Sequence, residues 1–340
     1  MVLVGAVFMV GPAGLIAGYT DTSMHIWIYI ILTYYIIATL LPIDEIIGRI
    51  YPIFGFTLLC MAVGVLIVLF FGSYDIPEFT GETFRNMKID ADTFPIFPVL
   101  FITVACGAVS GFHATQSPLM ARCVTNELQG RPVFFGAMIV ESIVALIWAA
   151  IGMAFFHGVE ELNVSLAEHG NNAAWAVGEI SNTTMGKVGA VLVLLGVIFA
   201  PISTGDTAFR SARLIVADFM NMEQKSLRKR LYISIPLFVV GFAITLVNFD
   251  VIWRYFAWFN QSLAAASLWA VTIYLVSKRK NFYITFFPAV LMTMIIFTFF
   301  FVSDEMLGIT YNAGLAAGAA VTLIITLYMI RQIKTYLRNG

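Results

Sequence analysis

The sequence predicts an all-α polytopic integral membrane protein of about ten transmembrane helices, at least two of them interrupted. Three observations predict it. Only 11% of the 340 residues are charged and 60% are hydrophobic, with mean hydropathy +0.90, whereas soluble domains carry about 25% charged residues. Ten apolar stretches approach the about 20 residues that a bilayer crossing requires. Basic residues also segregate to alternate connections, as the positive-inside rule demands.

Residues 2–19 read as a spanning helix and not as a secretory signal, because no basic segment precedes them and a second apolar stretch follows almost at once. The absence of an orienting charge leads to the expectation that the chain begins within a larger protein. Further spans are expected at 24–41, 52–72, 95–117 (broken), 133–157, 187–203 (broken at its end), 231–248, 252–276, 282–302 and 311–330. With both termini cytoplasmic, all but four of the 19 Lys and Arg residues fall inside, the exceptions being Arg85, Lys88, Lys187 and Arg254.

The connections at residues 73–94 and 158–186 are long and acidic and are expected outside, as solvated caps or as attractors of cations. Residues 205–230 are expected inside. They begin as an amphipathic helix with Arg210, Arg213 and Asp218 on its polar side, and end in the lipid-facing run KSLRKR. The whole, residues 1–340, reads as one transmembrane domain. Cys60, Cys106 and Cys123 lie in or beside apolar segments without CxxC spacing and read as small buried hydrophobes. Gly14 and Gly18, Gly107 and Gly111, and Gly314 and Gly318 have the spacing that lets helices pack closely.

Usual catalytic equipment is missing: the sequence has no Walker A loop, HExxH, GxSxG or GxGxxG after a strand, and no paired cysteine ligands. Lys278-Arg279-Lys280 is a short loop between apolar spans, so nothing points to nucleic acid. Transport on an ion gradient needs less, namely a polar cavity, a few ionisable groups and a hinge. Two interruptions supply candidates. The run VSGFHATQSPLMAR (109–122) breaks one apolar segment, and PISTGDTAFR (201–210) ends another. Irregular backbone at membrane depth is tolerated only when buried in protein or lining a cavity, and paired interruptions point to a transporter's binding site.

At the first break, His113 either binds a substrate carboxylate or relays a proton, or else satisfies carbonyls freed near Pro118. Ser110, Thr115, Gln116 and Ser117 either line the cavity or cap the resuming helix. At the second, the chain is expected to unwind at Pro201 and aim Ser203, Thr204 and Asp206 into the pathway. The alternative is a helix capped by Ser203, with Asp206 and Arg210 as a surface i, i+4 pair. Glu141 is the one charge between Arg131 and His157. An ionised carboxylate in hydrocarbon costs about 2.5–3.5 kcal/mol, so Glu141 is protonated, paired or beside water. It either couples protons or locks the bundle. Arg122 is an anion partner or a plain inside charge, and Asp44-Glu45, between Pro42 and Pro52, is a tight interfacial turn.

At these same strings the sequence resembles the carbon-starvation protein A (CstA) family: LPIDEIIGRIYPIFG, SGFHATQSPLMARC followed by GAMIVESIVALIWAAIGMAFF, and PISTGDTAFRSARLIVADF. The resemblance covers nearly the whole chain, with fewer distinctive motifs after Tyr232. It implies a bacterial inner-membrane transporter that imports peptides or pyruvate during carbon starvation by proton symport. It also implies an amino acid–polyamine–organocation (LeuT-like) architecture, in which interrupted helices surround a midplane site. Members usually have further N-terminal spans that this chain lacks. The combined expectation is a secondary transporter of a small carboxylate or short peptide, without cofactors beyond a proton gradient, sodium being the other coupling ion. Ser110, His113, Thr115 and Gln116 are expected to face Ser203, Thr204 and Asp206, with Glu141, His113 or Asp206 carrying the proton. A channel, a nutrient sensor or a non-transporting fragment are the rival readings.

Overall fold

A computed structural model describes residues 1–40, 51–78, 80–88, 91, 93–169, 173–247 and 249–339. Asp44-Glu45 and the turn assigned to them lie outside the described residues. Backbone polar groups have no water to fall back on in lipid, so a spanning segment must satisfy them internally, and among the described residues the regular structure is all helical. The chain divides into two compact units, Met1–Ile89 with Val140–Ile252, and Asp90–Ile139 with Trp253–Gly340.

The first unit is built round α1 (Val2–Thr20), which packs against α2 (Met24–Leu40), α9 (Phe199–Phe219) and α10 (Leu227–Thr245). Met9 and Ile16 of α1, Ile28 and Tyr35 of α2, Ile202 and Phe209 of α9 and Phe238 of α10 form its main core. The Phe209 ring rests on two glycines: a Cβ at Gly5 would lie 2.2 Å from it and one at Gly241 2.6 Å. A second cluster joins Val65 and Leu69 of α3 (Tyr51–Phe71), Ile147 and Ile151 of α6 (Ala137–Phe155) and Ile180 of α8 (Ala173–Leu192). A short helix, α7 (Val159–Glu168), precedes α8.

The second unit holds α4 (Ile96–Ala108), α5 (Gly111–Cys123), most of α11 (Phe249–Ser277), α12 (Tyr283–Val302) and α13 (Tyr311–Asn339). Ile102 and Ala105 of α4, Ala265 of α11 and Met292, Ile295 and Phe299 of α12 make its core. The Gly314 and Gly318 pair does bring helices together: Cβ atoms there would lie 2.5 Å from Val302 and 2.4 Å from Thr298. At one end, Arg254 pairs with Glu305 and stacks over Phe94, while the Tyr255 hydroxyl donates to the Glu305 carbonyl.

Six helices among the described residues are long and apolar enough to cross a membrane, or seven if Trp175–Leu192 and Leu195–Phe219, bent by 59°, form one broken span. The shortfall from ten has local causes. The expected span at 24–41 is a 17-residue helix, α2. The one at 95–117 is split into α4 and α5, of 13 residues each. The one at 231–248 becomes α10, whose first turn carries Arg228, Lys229 and Arg230.

Two connections differ in form from the expected one. Residues 158–186, expected as an acidic outside connection, are largely helical among the described residues, as α7 and the first part of α8, which kinks at Gly186 (φ 56°). The helix expected from 205 is part of α9, and of the three residues assigned to its polar side Arg210 and Arg213 are buried while Asp218 is exposed. Cys123 is exposed and Cys60 half-buried, so neither is the core residue that its apolar neighbours suggested.

Candidate functional site

Two polar interruptions and one cavity make up the candidate site. Between α4 and α5 of the second unit the helical path breaks at Val109 (φ −142°, ψ 62°) and Ser110 (φ −82°, ψ 133°). Gly111–Pro118, expected to be unwound, is regular helix in α5, with Pro118 inside it. A helix that starts inside protein presents amides without intrahelical partners. Here the Phe112 amide donates to Asn260 Oδ1 at 2.8 Å and to Ser110 Oγ at 3.3 Å. Asn260 Nδ2 in turn donates to Ser110 Oγ at 2.9 Å. Ser110 is therefore a helix cap, and the residue that completes it is Asn260 of α11, which the sequence reading missed. Its signal was the polar pair Asn260-Gln261 in an otherwise apolar helix. Gln261 is fully buried, donates to the Ile102 carbonyl at 3.2 Å, and leaves its own Oε1 without a partner.

The other hydroxyls near this break close on their own helix. Thr115 Oγ1 donates to the Phe112 carbonyl at 2.8 Å and Ser117 Oγ to that of His113 at 2.7 Å. His113 and Gln116 are half-buried on α5, and Arg122 is exposed in its last turn.

In the first unit the interruption also differs from expectation. The chain does not unwind at Pro201. The irregularity is a π-helical turn at Val193–Ile198, after which α9 starts at Phe199. Pro201 then falls just after the π-turn, which runs into α9 without a break, so its missing N–H comes where the i→i−4 ladder is already irregular. Ser203 is consequently not a helix cap: Ser203 Oγ and Thr204 Oγ1 donate to the Ala200 carbonyl at 2.6 and 3.2 Å.

The Asp206–Arg210 pair exists, but it is buried, at 1% and 2% exposure. Arg210 Nε donates to both carboxylate oxygens, at 2.9 and 3.0 Å. Arg210 Nη2 also donates to the Ala38 carbonyl, and Arg213 Nη1 to that of Thr39 at 3.4 Å. Ala38 and Thr39 lie in the last turn of α2, whose carbonyls have no intrahelical donor. The two arginines thus cap α2 at its negative dipole end instead of marking a wetted surface. Next to them, Tyr35 donates to the Phe8 carbonyl at 3.1 Å, the acceptor that Pro12, lacking an N–H, leaves unused. Gly205 is obligatory there, because a Cβ would lie 2.0 Å from the Tyr35 hydroxyl.

Between these helices of the first unit lies a cavity of about 350 Å³. Phe8, Leu58, Met61, Val144, Trp148, Val177, Gly196, Val197, Ala200 and Pro201 surround it, and Thr204 contributes its polar atom. The π-turn forms one wall, so irregular backbone and cavity coincide. Ser203 and Thr204 are half-buried, and Glu141 sits on the exposed side of α6. Ser110, His113, Thr115 and Gln116 belong to the second unit, and Glu141, Ser203, Thr204 and Asp206 to the first. No group of three or more His, Cys, Asp or Glu side chains among the described residues is placed to hold a metal ion.

Comparison with known proteins places the sequence in a family. The family model described as carbon starvation protein CstA matches residues 1–185. An uncharacterized membrane protein of Haemophilus influenzae is 47% identical over 161 residues, covering 43% of this chain and 43% of the relative. The peptide transporter CstA of Bacillus subtilis is 27% identical over 276 residues, 66% of this chain and 46% of the relative. The pyruvate/proton symporter BtsT of Escherichia coli is 52% identical over 52 residues, 15% of this chain and 7% of the relative. The chain thus spans less than half the length of these three relatives. No solved structure matches it. With the family model covering more than half of its residues and six or seven helices fit to cross a bilayer, this multi-pass membrane protein belongs to the carbon starvation protein CstA family.

Proposed function

We propose that the chain, as a single module in the bacterial inner membrane with both termini cytoplasmic, serves secondary transport of a small carboxylate or short peptide by proton symport. The observation that carries this reading is the coincidence of a π-helical turn, Pro201 and a 350 Å³ cavity at the depth of a spanning segment. Backbone irregularity is held there at a cost, and lining a cavity is the role that repays it. The names of the peptide and pyruvate transporters among the relatives support the substrate range.

In this reading Thr204 faces the substrate and Ser203 shapes the wall. In the second unit, the capped break at Ser110 gives α5 a fixed start, and His113, Thr115 and Gln116 are the polar groups which that helix offers. Glu141 takes the proton, since a carboxylate within a spanning helix is functional by default. Asp206 is committed to Arg210 and holds structure. The amino acid–polyamine–organocation architecture is part of the same proposal.

Uptake of labelled pyruvate and dipeptides into proteoliposomes, with and without a proton gradient, tests it. Saturable uptake driven by the gradient is expected. Glu141→Gln should reduce gradient-driven accumulation to the level of protein-free vesicles while substrate counterflow persists. Undiminished accumulation by that variant removes Glu141 from the mechanism, and non-saturable flux replaces the symporter by a channel.

A further inference from the structure

The chemistry of the cavity in the first unit sorts the substrates that the proposed function leaves together. Its volume of about 350 Å³ lies at the lower end of the range for small-molecule sites, about 300–1,000 Å³. Leu58, Met61, Val144, Trp148 and Val197 supply apolar surface, and no charged side chain lines it. The one hydroxyl, Thr204 Oγ1, already spends its proton on the Ala200 carbonyl at 3.2 Å. What Thr204 offers an occupant is therefore an acceptor lone pair, and the one side-chain donor group on the lining is the Trp148 indole N–H.

An ionised carboxylate placed here would lose its hydration and gain no counter-ion, and a single indole N–H does not replace a hydration shell, so its burial is unfavourable. An aliphatic or aromatic group fits on both volume and polarity. Met61 and Trp148 suit a variable occupant, since a thioether chain is flexible and polarizable and an indole face accepts many shapes. Gly196 fixes the floor: a Cβ there would lie 3.2 Å from Leu58 Cα, so the π-turn and α3 meet backbone to backbone.

We infer that this cavity is a side-chain subsite for the apolar residue of a short peptide, with the charged ends of that peptide held elsewhere. The inference rests on the transport reading but is tested by binding alone. The purified 340-residue chain in nanodiscs is titrated with alanyl-phenylalanine, glycyl-glycine and pyruvate, and affinities are read by calorimetry. Burying a Phe-sized side chain contributes about 1.5–3 kcal/mol, so alanyl-phenylalanine should bind about 10–100-fold more tightly than glycyl-glycine. Ala200→Phe, which fills the cavity from its wall, should erase that advantage, and Val144→Phe fills it from α6 should the first variant fail to fold.

Equal affinities for the three ligands, no binding, or an unchanged preference in the filled variants overturns the subsite. So does native mass spectrometry showing a phospholipid retained by the wild type and released by Ala200→Phe, because the cavity is then an acyl-chain slot. Binding with the expected preference but without uptake in vesicles refutes the transport reading alone. Uptake indifferent to the side chain refutes the subsite alone.

Discussion

Replacing Asp206 by alanine is expected to lower stability by about 3–5 kcal/mol, the usual result of removing one partner from a buried ion pair. The carboxylate takes Arg210 Nε on both oxygens and is 1% exposed. Without it, the guanidinium keeps the Ala38 carbonyl but loses its counter-charge in a low-dielectric setting. Thermal unfolding in detergent, followed by the amount of monodisperse protein remaining, measures the loss. Asp206→Leu combined with Arg210→Met should restore most of it, because apolar replacement of a whole buried pair is often neutral. The double variant also separates two roles for Asp206. As a structural anion it is dispensable once the pair is gone, so uptake should return with the fold. Restored folding without proton-driven uptake would return Asp206 to the list of proton carriers.

The second large effect is expected at Gly111. A Cβ there would lie 2.1 Å from the Asn260 carbonyl oxygen and 2.9 Å from the Ala264 amide nitrogen, both backbone atoms of α11. Neither can rotate away, so α5 must retreat from α11 and pull the Phe112 amide off Asn260 Oδ1. Overpacking a tight contact costs about 1–3 kcal/mol, and leaving a buried donor unsatisfied adds about 1–3 kcal/mol. Gly111→Val should therefore destabilise by about 3 kcal/mol or more. Hydrogen exchange of the Phe112 amide should accelerate in step. Asn260→Leu, which removes the acceptor without a clash, should reproduce the exchange effect with a smaller loss of stability. Wild-type melting in Gly111→Val would show that α5 and α11 do not meet at this point.

Helicity and membrane character were legible because they rest on composition and on run length, which no tertiary detail alters. The first interruption was legible in position through Ser110 and Gly111, but not in extent. Sequence shows where polar residues cluster, yet the Thr115 and Ser117 hydroxyls find carbonyl partners within α5 and so do not require it to unwind. Asn260 stayed hidden because its partner lies 150 residues away and nothing local to either position signals the pairing.

At the second interruption, Pro201 was read as a point of unwinding because a π-turn has no sequence signature. Because the helix runs from the π-turn straight through Pro201, Ser203 is an interior residue and not a cap. Arg210 and Arg213 were misread for a related reason. A basic residue near the end of an apolar run looks the same whether it meets water or the final carbonyls of another helix. Only the position of Ala38 and Thr39 decides between these.

The arginine clamp on the end of α2 restricts which parts of this unit can travel separately. Asp206, Arg210, Ala38 and Thr39 tie two segments more than 160 residues apart in sequence by charge-assisted contacts that exchange with solvent would not replace. During any conformational cycle, α2 and α9 consequently translate as one lever. A pair of spin labels on them should report a constant separation while distances to other helices change.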